Sequence, residues 1–226
     1  PKHIETLRQA VAKGRECFST FASHLHTMIG ATEEELYRVT KDIFSQHGAQ
    51  ELSFDPIVAL NANAAKPHAR PSDEKCHKGD LLLVDAGIKY QGYCSDRTRV
   101  IEVGSGADFT LTQHFSNPEH QKVYDIVLKA HDEAIRLARP GMKGKEVDAI
   151  ARGFIKEAGY EKFFVHSLGH GVGLEIHELP LISQKSEMVL QEGMVFTIEP
   201  GIYLPQAFGV RIEDMVVMCH DGVEVL

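Results

Sequence analysis

One pattern occurs twice in this chain of 226 residues, and it limits the folds the chain can adopt. Residues 3 to 25 carry Ile4, Leu7, Val11, Phe18, Phe21 and Leu25 at mostly three- and four-residue steps, the stripe of an amphipathic helix. Ile29-Gly30-Ala31 breaks it. Thr32 then heads Thr-Glu-Glu-Glu, a capping-box signature with Glu35 at the third helical position. Leu36, Val39, Ile43 and Phe44 stripe this second helix, Gly48 stops it, and Phe54 to Leu60 reads as a strand. The same order then recurs. Tyr124, Val127, Leu128, Ala134, Ile135 and Ala138 mark a helix, and Arg139-Pro140-Gly141 breaks it. Val147, Ile150, Ala151, Phe154 and Ile155 mark the next helix, Gly159 stops it, and Phe163-Phe164-Val165 opens a strand. The copies lie about 111 to 117 residues apart, with QHGAQELSF and EAGYEKFFV at matching places. An internal duplication accounts for this; two unrelated helical pairs are the alternative.

Each half also ends in strands. Asp80 to Ala86 and Tyr93 to Val103 flank a turn at Lys89-Tyr90-Gln91-Gly92. Met194 to Glu199 and Gly209 to Met218 flank a wider hairpin, Tyr203 to Phe208. Gly104 to Asn117 has no helical period and reads as a loop of no assigned role. The expectation is one α+β domain over residues 1–226 with pseudo-twofold symmetry.

Composition narrows the function. A chain that is 43% hydrophobic and 25% charged can bury a sizeable core. A net charge of −8 without a basic cluster argues against nucleic acid, whose phosphates need a Lys/Arg footprint. No apolar run of about 18 residues occurs, so no membrane span is expected. Cys17, Cys76, Cys94 and Cys219 form no CxxC pair and read as reduced thiols of a cytoplasmic protein. The first residues do not resemble a signal peptide. The missing initiator Met suggests a processed form or an excised domain.

Four carboxylates sit where burial should forbid them. Asp85 ends the apolar run Leu81-Leu82-Leu83-Val84, and Asp96 lies on the returning strand, nearly opposite across the turn. Glu199 ends Val195-Phe196-Thr197-Ile198, and Glu213 follows Val210-Arg211-Ile212 across the second hairpin. Like charges opposed on a ladder destabilise it, and a buried carboxylate costs several kcal/mol unless paired, in the range of about 3–5 kcal/mol when a partner is removed. Arg97, Arg99 and Arg211 could form an all-protein counterweight. Two divalent cations would balance four carboxylates directly, and one imidazole would complete a hard donor set suited to Mn²⁺, Fe²⁺, Co²⁺ or Zn²⁺. The segment FVHSLGHGVGLEIHELP supplies His166, His170 and His177.

With these residues in view, LVDAG, GYCSDRTR, HSLGHGVGLEIHE, FTIEPGIY and GVRIED resemble, in order and spacing, the motif set of the pita-bread dinuclear metallopeptidases. The likeness covers essentially the whole chain and is to the Xaa-Pro aminopeptidase and Xaa-Pro dipeptidase (prolidase) branch. It implies a pita-bread fold and two divalent metal ions, Mn²⁺ first, with Co²⁺, Zn²⁺ or Fe²⁺ as alternatives. Asp85, Asp96, His170, Glu199 and Glu213 match the five metal ligands. Glu199 matches the proton shuttle of amide hydrolysis, His177 the group that stabilises the tetrahedral intermediate, and His68 another catalytic histidine. His166, Arg211, Tyr203 and Phe54 are substrate-site candidates; Arg211 matches an arginine that orients carboxylates. Structural roles stay open for His68, His166 and His177, and ordinary core packing for Phe54. His24, His26, His47, His114, His120 and His131 read as solvated.

The resemblance implies proline-containing peptide substrates, with release of the residue before proline as the first reading and dipeptide cleavage as the alternative. Methionine aminopeptidases share the fold but not the contexts around Ser95 to Arg99 and Val210 to Asp214. Creatinase-like enzymes lack the ligands, and non-catalytic binding modules usually lose them. The branch usually carries an N-terminal domain that helps form a homodimer; this chain starts at the first helix of the catalytic part and stops at Leu226, so that domain is expected to lie outside it.

Overall fold

Each half of the chain lays a helical pair against antiparallel strands. The computed structural model describes residues 2–226; Pro1, the first residue of the expected domain, lies outside the described residues. The first half runs α1 (Lys2–His24), α2 (Glu33–Phe44), β1 (Ile57–Leu60), β2 (Leu81–Ala86), β3 (Lys89–Tyr90), β4 (Tyr93–Cys94) and β5 (Arg97–Glu102). The second runs α3 (Pro118–Leu137), α4 (Gly144–Glu157), β6 (Gly169–Gly171), β7 (Glu178–Ile182), β8 (Val195–Ile198), β9 (Gly201–Leu204), β10 (Phe208–Arg211), β11 (Asp214–Cys219) and β12 (Gly222–Val225).

Local chemistry sets these boundaries. The Thr32 hydroxyl accepts from the Glu35 amide at 3.1 Å and the Glu35 carboxylate accepts from the Thr32 amide at 2.7 Å, the complete capping box expected for α2. Asn117 caps α3, with Pro118 in its first turn. The duplication is written in backbone angles as well as in pattern. Gly30 and Gly141 end the first helix of each pair at φ +89° and +90°, and Gly48 and Gly159 follow the second at +87° and +88°. Each pair is 111 residues apart, and only glycine takes this left-handed region at no steric cost.

The sheets form two layers joined at a seam. One has order β1-β2-β5, the other β12-β11-β8-β6-β7, with β3-β4 and β9-β10 as separate hairpins. A bridge between Thr98 and Glu213 links them, the Glu213 amide donating to the Thr98 carbonyl at 3.1 Å. Leu81 and Leu83 of β2 face a core shared with α3 and α4, including Val127, Val147 and Ile155. Leu82 and Val84 face the other way, onto Phe18, Phe21 and Leu36 of α1 and α2. Burial on both faces explains the unbroken apolar run that leads to Asp85.

Several expectations change. Asp85 pairs with Thr98, not Asp96, which sits two positions along on the diagonal; the turn is centred between Gln91 and Gly92, one residue later than the midpoint argument placed it. Glu199 and Glu213 do extend the register that pairs Ile198 with Asp214. The strand expected at Phe163 to Val165 is a short 3-10 turn, Glu161–Phe163, then irregular chain to Gly169. Side chains explain this: Arg152 donates to the carbonyls of Phe164 and His166, and Asp148 accepts the Leu168 amide, occupying groups a neighbouring strand would need. The strand expected from Phe54 starts at Ile57, after Pro56, which has no amide to donate. His131 is not solvated but buried, and the half-buried His120 ring lies 4.4 Å from that of Phe208.

Candidate metal centre

The five expected ligands converge on the seam between the sheets. Asp85 is near the end of β2, and Asp96 lies just before β5. Glu199 follows β8, Glu213 precedes β11, and His170 is the middle residue of β6. Glycines flank His170 because β6 is squeezed between β7 and β8. A Cβ on Gly169 would lie 1.8 Å from the Thr197 carbonyl oxygen, and one on Gly171 would lie 2.2 Å from that of Leu179. His170 donates from Nδ1 to the Gly171 carbonyl at 2.9 Å, which leaves Nε2 toward the carboxylates, 3.1 Å from Glu199 Oε1 and 3.4 Å from Asp96 Oδ2. Asp96, His170 and Glu213 each offer a ligand atom within 4.8 Å of the others.

The cluster holds more negative charge than its protein partners balance. Arg211 donates to Asp85 Oδ2 at 2.8 Å, the Thr98 hydroxyl to Glu213 Oε2 at 2.7 Å, and the Thr197 hydroxyl to Glu199 Oε1 at 3.0 Å. Asp85 Oδ1, Asp96 Oδ1 and Glu213 Oε1 are buried without any hydrogen-bond partner. Burial, then the nearby Asp96 and Glu199, pushes Glu213 far above the ordinary carboxylate range. Burial raises Asp96 to about 7 against the pull of His170. Burial also raises Asp85, only partly offset by Arg211. Burial acts upward on Glu199 too, but the His170 hydrogen bond and charge outweigh it and hold this carboxyl low. His170 is pushed up to about 11, burial losing to its bonds with Asp96 and Glu199. Three orphaned carboxylate oxygens and a presented imidazole nitrogen form an oxygen-rich donor set, and it fits divalent cations of the Mn²⁺ to Zn²⁺ class.

A cavity of about 830 Å³ opens over this cluster, lined by all five residues and by Phe54, His68, His166, His177 and Arg211. His68 and His177 are exposed at its wall. The His170 and His177 rings meet edge-on with centroids 4.5 Å apart, and burial, then His170, lowers the His177 pKa. Tyr203 differs from the others: it does not line the cavity but is buried behind it. Its hydroxyl accepts from Arg211 at 2.8 Å and lies 2.7 Å from His166 Nε2. A continuous chain therefore runs from Asp85 through Arg211 and Tyr203 to His166.

Several groups escaped the sequence reading. Arg97 and Arg99 do not face the four carboxylates. They pair with Asp214, the residue after Glu213, at 3.2 and 2.8 Å, and His131 joins them at 3.0 Å. Strand alternation was the available signal, because Arg97 and Arg99 must point away from Asp96 and Thr98. Asp148 and Arg152 form a buried pair one helical turn apart on α4. Glu33, wholly buried at the start of α2, accepts from the amides of Leu60 and Ser72 and from Asn63. Nothing in the helical pattern marks either carboxylate as inward.

Comparison with known proteins places the chain in a family. Residues 5–219 match the model of metallopeptidase family M24. The chain is 47% identical over 197 residues to an Xaa-Pro dipeptidase of Pyrococcus furiosus, covering 87% of this chain and 54% of that protein. Among solved structures, an X-Pro aminopeptidase from Thermotoga maritima MSB8 superimposes with a TM-score of 0.88 at 39% identity, covering 99% of this chain and 60% of the other. A prolidase from Pyrococcus furiosus gives 0.87 at 43%, covering 99% and 63%. The chain thus spans little more than half the length of these relatives and has their pita-bread α+β fold. Among the described residues no helix is long and apolar enough to cross a membrane. Fold, motif order and matched length agree that this chain belongs to metallopeptidase family M24.

Proposed function

We propose that residues 1–226 are the single catalytic domain of a metal-dependent peptidase that cleaves the bond before proline, and that its substrates are Xaa-Pro dipeptides. The sequence reading puts aminopeptidase action first. The 47% identity to an Xaa-Pro dipeptidase moves the weight to the dipeptidase alternative. The observation that carries the peptidase reading is the set of buried, unpartnered oxygens on Asp85, Asp96 and Glu213 beside His170.

In this reading Asp85, Asp96, His170, Glu199 and Glu213 hold two divalent cations, Mn²⁺ first. When bound, the ions supply Lewis acidity to the scissile carbonyl and make a water acidic enough to ionise near neutral pH. Glu199, held low in pKa, takes that proton and returns it to the leaving amine. His177 donates to the developing oxyanion from the exposed rim. His68, which lines the same cavity, is a further hydrogen-bonding group. His166 is fixed by Tyr203, and Tyr203 by Arg211, so the histidine that meets substrate is tied to Asp85. Phe54 supplies an apolar wall for the proline ring. A tertiary amide before proline has no N–H to recognise, so a shaped pocket replaces that contact. The exposed Leu179 and Leu181 at the same cavity support coverage by a partner in a homodimer of a longer protein. The cytoplasm is the proposed compartment.

The test is mass-spectrometric cleavage after Mn²⁺ loading. An Xaa-Pro dipeptide, an Xaa-Pro-Yaa-Zaa tetrapeptide and a Met-Ala-Ser control are compared, with Asp96→Ala in parallel. Metal-dependent cleavage of the dipeptide alone, lost in Asp96→Ala, is the expected result. Release of Xaa from the tetrapeptide returns the assignment to Xaa-Pro aminopeptidase. Fewer than one Mn²⁺ bound per chain together with no cleavage overturns the metallopeptidase reading.

A further inference from the structure

A second cavity lies behind the metal centre. It measures about 1150 Å³, against about 830 Å³ for the first, and small-molecule sites commonly span about 300–1,000 Å³. Its position follows from strand alternation. Asp96 and Thr98 point to the metal side of the seam, so Arg97 and Arg99 point to the other; Glu213 and Asp214 divide in the same way. Arg97, Arg99, His131 and Asp214 line this cavity together with α1, α3 and residues 104–111.

The charges in it are unequally matched. Arg99 donates twice to Asp214, at 2.8 and 3.0 Å, and to the carbonyls of Thr98 and Glu213. His131 bonds Asp132 through Nδ1 and Asp214 through Nε2. Asp108 is engaged by the Thr110 hydroxyl and amide. Arg99 keeps a buried Nε without a partner, and Arg97 is left shorter still. Its side chain is 14% exposed, and its one polar partner among the described residues is an Asp214 oxygen at 3.2 Å that Arg99 already holds more closely. Arg15 adds a further positive charge on the α1 wall. Around this under-used guanidinium the walls are apolar: Phe18 and Ala22 from α1, Ala107, Phe109 and Leu111 from the loop, and Ile135 from α3. A guanidinium fork in an apolar cleft matches a carboxylate, which it can grip through two parallel hydrogen bonds.

We propose that this cavity is a binding site for a small carboxylate with an apolar body. Its carboxylate pairs with Arg97, and its hydrocarbon part lies against Phe18, Phe109 and Ile135. The loop from Gly104 to Asn117, which anchors itself by burying Phe109 and Phe115 in the two cores, is the wall that shapes the site. The assignment does not depend on the peptidase reading, because none of these side chains faces the catalytic cavity.

The probe is 4-phenylbutyrate, with 4-phenylbutanol as its uncharged counterpart. Each is titrated into the metal-free 226-residue chain and followed by amide chemical shifts. Saturable shifts at Ala107, Phe109 and Ile135 are expected, with the acid bound about tenfold more tightly than the alcohol, the scale of one charge-assisted hydrogen bond. Arg97→Gln is expected to remove the preference for the acid while weak binding of the alcohol persists. Ser19→Trp, an exposed α1 position on the cavity wall, is expected to weaken both without touching the charged base. Equal binding of acid and alcohol, shifts confined to His166 and His177, an acid preference that survives Arg97→Gln, or no saturable binding would each overturn the proposal.

Discussion

Glu213 and Asp214 are neighbours in sequence, equally buried, and treated in opposite ways by the fold. Asp214 meets Arg97, Arg99 and His131, and these outweigh burial to hold its carboxyl well below the ordinary range. Glu213 has one hydroxyl partner and one orphaned oxygen, and burial drives it the other way. A protein that needed both only for stability would have paired both. The Asp214 carboxylate is balanced without any ligand, whereas the cluster around Glu213 keeps buried oxygens that no protein donor meets. Paired carboxylates mark structure here, and surplus carboxylates mark the site.

The largest effects test that contrast directly. Asp214→Asn removes the shared anion of Arg97 and Arg99 and is expected to cost about 3–5 kcal/mol, as loss of one partner from a buried ion pair does. Glu213→Gln, measured on metal-free protein by urea unfolding, is expected to be neutral or stabilising. Equal losses in the two variants would erase the distinction between them. The same contrast has a pH form. Asp96 rises from 3.8 to about 7 on folding, so the unfolded chain releases its proton first. Stability from this group is full below about pH 4 and declines as pH rises toward 7. Metal-free protein should therefore unfold at lower urea near pH 7.5 than near pH 5, and Asp96→Asn should flatten that slope.

Divalent ions should reverse the deficit. Saturation with Mn²⁺ at a hundred times the dissociation constant is expected to add about 2.7 kcal/mol, read as a shift in unfolding midpoint that a chelator removes. Asp96→Ala should show no such shift, and a variant of the Asp214 network that still folds should keep it.

A smaller prediction compares the two halves. Glu33 opens α2 and Asp148 lies in the second turn of α4, about one turn beyond the position that corresponds to Glu33, and each is fully buried. Glu33 fastens the chain from Leu60 to Ser72, which carries His68. Asp148, with Arg152, fastens the chain from Phe164 to Leu168, which carries His166. Glu33→Gln and Asp148→Asn are each expected to lose about 1–3 kcal/mol through unsatisfied buried donors. Limited proteolysis should open residues 60–72 in the first and 164–168 in the second. Cuts at the same places in both variants would show that the halves do not act as separate clamps.

Much of this was legible in the sequence for an identifiable reason. Helical stripes, the Thr32 cap and the glycine stops are local, because each is settled by residues within a few positions of one another. The duplication extended that local information to the whole chain. The carboxylate cluster was legible too, since a carboxylate in a buried apolar run must find a counter-charge, and four such carboxylates outnumber the arginines beside them; His170 came in only through the resemblance of its motif. Local pattern failed wherever a side chain reached across the fold. The strand expected at Phe163 is displaced because Arg152 takes its carbonyls. His131 was read as solvated because no neighbouring residue announces Asp214. The register of Asp85 depended on where the turn is centred.

The sequence by itself determined the helical pairs, their repetition, the α+β class and the four carboxylates that gather at the seam, while the resemblance of its motif chose His170. Hydrophobic period, capping chemistry and uncompensated charge in apolar runs are all properties of the chain written in order. Only the tertiary structure decided which arginine answers which carboxylate. Adjacent strand residues face opposite sides, so one step along the chain, from Glu213 to Asp214, separates a candidate cation site from a paired ion network.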